Sequence, residues 1–101
     1  MDPVLARMAE NLRGRYGKHL HQILFFGSRA RGDALPESDY DCLLVFDAVT
    51  PSLKADLSRL ASEWLLEKSI VFSCVALSES DLSRLRYEPF VQNAYREGIA
   101  A

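Results

Sequence analysis

A chain of 101 residues, 49% hydrophobic and 26% charged, has the balance of an ordinary globular domain and leaves little room for a second one. Its net charge of -2 excludes a general electrostatic grip on DNA or RNA, although a local basic patch is still allowed. The longest apolar runs are far too short to cross a bilayer, and Met1-Asp2-Pro3 lacks a signal-peptide pattern, so a cytoplasmic protein with no membrane partner is expected.

Val4, Leu5, Met8, Leu12 and Tyr16 recur at a spacing near four. This predicts an amphipathic helix over 3–16, with Asp2 as N-cap and Pro3 at its first position. Gly14 and Gly17 mark its end. HLHQILFF (19–26) predicts a strand. His19 and His21 share one face of it without a third ligand nearby, and read as surface or strand-edge histidines. GSRARGD (27–33) allows a short helical turn from Ser28, and ALPES (34–38) is a loop punctuated by Pro36. DYDCLLVF (39–46) predicts the second strand. Thr50 and Pro51 start a helix whose buried stripe is Leu53, Leu57, Leu60, Trp64 and Leu65.

SIVFSCVAL (69–77) predicts a third strand, followed by a helix start with Ser78 capping and Asp81 answering it. The segment 87–98 predicts a last short helix packed through Phe90, Val91 and Tyr95. Cys42 and Cys74 lie in apolar runs with no metal-binding spacing, and read as reduced, buried thiols. The order of elements predicts an α/β fold, a small sheet backed by helices, as a single domain over 1–101.

The stretch FFGSRARGDALPESDYDCLLVF (25–46) carries the chemistry. In a strand, Asp39 and Asp41 point to one face, and Tyr40 and Cys42 to the other. Two ionised carboxylates side by side repel each other and resist desolvation, so the pair calls for a cation. Hard oxygen ligands suit Mg²⁺ or Mn²⁺, which accept phosphates as further ligands. Gly27 lets the backbone approach closely, and Ser28 offers an N–H and a hydroxyl to a phosphate. Arg29 and Arg31 add positive charge. One suits a phosphate contact, and the other suits bracing the loop through Asp33 or Glu37. The bland readings are a turn, a solvated acidic pair and two solvated arginines; what lifts the functional reading is their combination at this spacing.

Gly27-Ser28, ten intervening residues and Asp39-Tyr40-Asp41 resemble the signature of the polymerase-beta-type nucleotidyltransferase superfamily. The fuller string FGSRARGDALPESDYDCLLV is similar to its small stand-alone branch, the minimal nucleotidyltransferases, and PFVQNAYREGI (89–99) resembles the tail of such proteins. The resemblance implies a small mixed sheet with helices on one side. It implies that Gly27 and Ser28 hold an NTP triphosphate and that Asp39 and Asp41 bind the metal. It also implies transfer of a nucleotide, AMP from ATP, to a hydroxyl. Members of this size are often antitoxins paired with a helical HEPN-domain ribonuclease toxin, and some attach AMP to a toxin tyrosine.

One departure stands out. Fully active members place a third carboxylate on a later strand, whereas SIVFSCVAL has none. Ser73 or Val71 occupies the expected place, and Glu67 and Glu79 are weak substitutes. Two readings follow. One is an enzyme that adenylylates its partner, and the other is a nucleotide-binding antitoxin that blocks its partner by occlusion. The apolar faces of the first and last helices could cover the core, a second copy of the chain or a toxin.

Overall fold

A computed structural model describes residues 2–36 and 38–101. The elements are α1 (Pro3–Tyr16), a 3-10 turn (Gly17–His19), β1 (Leu20–Phe26), α2 (Gly27–Arg31), β2 (Tyr40–Phe46) and α3 (Pro51–Lys68), then β3 (Phe72–Ser78), α4 (Glu79–Leu85), α5 (Pro89–Glu97) and β4 (Ile99–Ala100). Three side-chain caps start three of the helices. The Asp2 carboxylate accepts from the Val4 N–H at 2.8 Å, and the Thr50 hydroxyl from the Leu53 N–H at 3.1 Å. Ser78 and Asp81 cap each other reciprocally, as the sequence predicts.

The sheet order is β3-β2-β1-β4. β1 runs antiparallel to both β2 and β4, while β2 and β3 are parallel. All of β2 is buried except Asp41, which is half-buried. On one face, Tyr40, Cys42, Leu44 and Phe46 meet Leu5, Met8 and Leu12 of α1 and Leu57, Leu60 and Trp64 of α3. On the other face, Leu24, Leu43 and Leu77 meet Val91 and Ala94 of α5. Helices therefore cover both faces, not one as the resemblance implies.

Local chemistry moves several predicted boundaries. β1 starts at Leu20, because His19 closes the 3-10 turn. A register shift between Leu20 and Gln22 then returns Leu20 to the face of Ile23 and Phe25. The two histidines go to separate partners, His19 to Asp47 at 2.6 Å and His21 to Glu79 at 2.8 Å. β3 starts at Phe72, because Ser69 caps α3 in the left-handed region and the Ile70 N–H still bonds to the Trp64 carbonyl. Leu65, expected in the buried stripe, is 49% exposed. In α5, Phe90 and Tyr95 stay 37% and 46% exposed, and Val91 with Ala94 makes the buried packing. β4 is unforeseen: two residues have no periodicity to detect. Cys42 and Cys74 are free and in register across β2 and β3, one buried and one half-buried.

Two glycines with helical or extended backbones give opposite expectations for one substitution. A Cβ on Gly98 would overlap the Ala94 carbonyl oxygen and lie 2.7 Å from Leu24 Cγ, whereas one on Gly14, inside α1, meets nothing within 4 Å. Gly98→Ala should cost about 1–3 kcal/mol by overpacking. Gly14→Ala should add about 0.5–1 kcal/mol through helix propensity. Urea unfolding of the two variants beside wild type checks both signs.

Candidate active site

β1 ends where the polar loop begins. Phe26 is the last paired residue, and its partner on β2 is Asp41. Gly27 then turns the chain into α2 with φ at +75°, a left-handed conformation that favours glycine. A Cβ there would overlap Asp41 Oδ2 and lie 3.2 Å from Asp41 Cγ. Gly27 is thus needed twice, for its backbone angle and for the space that the Asp41 carboxylate occupies. The sequence expects Gly27 to let the backbone approach a phosphate closely; the group that lies close to it within the chain is this carboxylate.

α2 is one short turn. It ends at Gly32, whose φ of +86° places it in the left-handed region, and the Ser28 carbonyl accepts from both the Gly32 and Asp33 N–H groups. The first N–H groups of any helix lack intrahelical acceptors and are free to bind an anion. Ser28 stands among them.

Asp41 lies inside β2, and Asp39 lies one residue before it, exposed. Ladder pairing starts at the Tyr40 N–H, which donates to the Val71 carbonyl at 2.9 Å, so the second strand is one residue shorter than predicted. Asp41 still responds to its neighbour. Burial, then the Asp39 charge, pushes the Asp41 carboxyl up from its ordinary value, and Arg31 pulls it back. Among the described residues neither aspartate forms a salt bridge.

The parallel register also places Ser73. It pairs with Asp41 across β2 and β3, shares its face and is exposed. Ser73 therefore stands beside the carboxylates at the position where the resemblance calls for a third acid. Val71 lies just before β3.

The two arginines part company. Arg31 bonds to Asp33 at 3.2 Å and to Glu97 of α5 at 3.0 Å. Arg29 turns to the loop. It donates to the Pro36 and Ser38 carbonyls, and its guanidinium lies 4.5 Å from the Tyr40 ring centroid. Periodicity gives no signal for these contacts, because two acceptors are backbone and the third is a ring assigned to the opposite face. Glu37, weighed as a brace, lies outside the described residues.

No group of three or more His, Cys, Asp or Glu side chains suited to a metal occurs among the described residues. Asp39 and Asp41 alone do not close a coordination sphere. They do fit a hard cation that completes its shell with water and phosphate oxygens. The groove between α4 and α5, lined by Leu82, Arg86, Val91 and Tyr95, shares none of the residues named here.

Comparisons with known proteins bear on the family and the fold. The model of the nucleotidyltransferase domain family matches residues 5–93. A candidate protein adenylyltransferase of Methanocaldococcus jannaschii is 33% identical over 87 residues, which cover 86% of this chain and 83% of that protein. A chain of a toxin–antitoxin complex solved with AMP-PNP superposes with a TM-score of 0.63 at 20% identity, over 93% of this chain and 69% of that one. A chain from a substituted MntA-HpeT toxin–antitoxin pair gives 0.66 at 20% identity, over 96% and 70%. A nucleotidyltransferase candidate from Sulfolobus solfataricus gives 0.51 at 23%, over 96% and 76%. At these identities the structural likeness speaks for the fold.

Gly27→Ala should lower stability by about 1–2 kcal/mol through backbone strain alone. It should also displace Asp41. Carboxyl-carbon NMR should find the Asp41 signal moved and that of Asp56, on α3, unchanged.

Proposed function

This chain belongs to the nucleotidyltransferase domain family, and from that premise we propose that it transfers AMP from ATP to a hydroxyl of a partner protein, a HEPN-domain toxin, and so acts as a cytoplasmic antitoxin. The observation that carries the reading is the close approach of the Gly27 backbone to the Asp41 carboxylate. A glycine leaves room for the carboxylate, which has no salt-bridge partner among the described residues, and α2 starts at the same point.

In this reading, Gly27 and Ser28 hold the triphosphate through backbone N–H groups and the Ser28 hydroxyl. Arg31, close enough to influence Asp41, exchanges an exposed carboxylate partner for a phosphate oxygen. Asp39 and Asp41 hold Mg²⁺ or Mn²⁺, which when bound neutralises phosphate charge and favours in-line displacement. The acceptor hydroxyl attacks the α-phosphorus and pyrophosphate leaves. No side chain forms a covalent intermediate, so positioning and charge compensation carry the rate. A protein acceptor fits a site that lies open at the end of the sheet. The Methanocaldococcus relative and the toxin–antitoxin chains of the same fold lend weight to that class of partner.

A second reading rests on Ser73. With serine beside Asp41, the site keeps a nucleotide-bound cation but lacks a ligand for turnover, and the chain neutralises its partner by binding.

The test is transfer of label from α-labelled ATP with Mg²⁺ to a co-purified HEPN-domain partner. Wild type should label the partner and Asp41→Asn should not, while both still bind it. Ser73→Asp should raise labelling by about tenfold, the scale of a restored metal-shell contact. An intact complex that gains no label with wild type or Ser73→Asp would establish the second reading.

A further inference from the structure

We propose that Arg29 is a positioning residue for Asp39, clamping the chain on both sides of that carboxylate. The clamp itself is a matter of geometry; its consequence for metal binding rests on the nucleotidyltransferase reading.

Asp39 has little to fix it directly. It precedes β2, is exposed, and forms no salt bridge among the described residues. Its two neighbours are held instead, and by one side chain. Arg29 Nε and Nη2 donate to the Ser38 carbonyl at 3.2 and 3.0 Å, and Nη2 also donates to the Pro36 carbonyl at 3.0 Å. Ser38 precedes Asp39. The same guanidinium stacks on the ring of Tyr40, which follows it.

Both ends of the clamp are rooted. Tyr40 is buried, and its ring centroid lies 5.1 Å from that of Phe72. Its N–H is tied to β3 through the Val71 carbonyl. On the loop side, the Leu35 N–H donates to the Ser38 hydroxyl at 2.9 Å, and the Ser38 N–H returns to the Leu35 carbonyl at 3.0 Å. Arg29 joins the loop turn to the core strand, with Asp39 between them.

Only a guanidinium suits the task. Its planar fork can serve two carbonyls while its face lies on an aromatic ring. A lysine keeps the charge but offers a point donor with no face. This separates two roles for Arg29. A phosphate ligand would tolerate lysine in part, whereas a clamp would not. The pair divides accordingly: Arg29 sets the carboxylate, and Arg31, paired with Asp33 and Glu97, is the one to which the proposed function gives the phosphate.

The experiment combines Arg29→Lys, Arg29→Gln and Asp39→Asn, singly and as doubles. Backbone amide exchange of Ser38, Asp39 and Tyr40 is read first, with the Leu43–Val45 amides as a control for global stability. Affinity for Mn²⁺ in the presence of ATP is then read by electron paramagnetic resonance. Arg29→Lys should speed exchange around Asp39 while leaving the control amides unchanged. It should weaken Mn²⁺ about tenfold, as loss of an outer-shell support does, and should add no further loss in the Asp39→Asn background. Unchanged exchange, rescue by lysine or additive losses would overturn the proposal. If wild type binds no Mn²⁺ with ATP, the nucleotidyltransferase reading fails, and exchange alone decides the clamp.

Discussion

The antiparallel pairing of β1 with β2 brings Phe26 opposite Asp41, and the residue after Phe26 then has to turn away beside a carboxylate. A side chain at that point would collide with Asp41, and the left-handed backbone would strain it. From this one crowded spot the surroundings follow. α2 starts at the turn, so its first N–H groups lie near the point where Gly27 abuts Asp41. The loop after α2 must return to β2 within a few residues, and Arg29 gathers it. Helix α5 reaches α2 through Glu97 and Arg31, which ties the far cover of the sheet to the site.

Much of this was legible in the chain itself. The Asp2, Thr50 and Ser78 caps are local signals, made by side chains a few residues from the groups they satisfy. Asp39 and Asp41 stood out because charge at the start of an apolar strand has a cost that needs an explanation. Legibility ended where the third dimension entered. Leu65 is apolar, but one residue on from Trp64 it is turned about 100° away from the stripe of Leu57, Leu60 and Trp64 that the sheet buries. Tyr95 fits its stripe too, yet its hydroxyl reaches out to Gln22 on β1 at 2.6 Å. The contacts of Arg29 end on backbone carbonyls, which every residue has, so composition cannot mark them. The choice between Ser73 and Val71 needed the register of two parallel strands, and periodicity alone does not supply it.

The burial of β2 shows how the fold accommodates its one charged residue. Both neighbours are strands, and both faces carry apolar side chains over most of its length. Cover from α4 and α5 gathers around Leu24, Leu43 and Leu77. Asp41, two residues earlier on the face of Leu43, is left half open to solvent, so the carboxylate needs neither a salt bridge nor full hydration. The raised Asp41 carboxyl expresses that compromise.

Ser73 carries a second meaning through its strand. β3 is the outermost strand on its side of the sheet, and FSCVALS contains neither a charge nor a proline. Such residues ordinarily discourage the free edge of a strand from recruiting strands of other molecules. An acid at position 73 would guard the edge as well as complete the site. Serine leaves the edge unguarded and, under the proposed function, leaves the site without a third acid, so one substitution there would alter both.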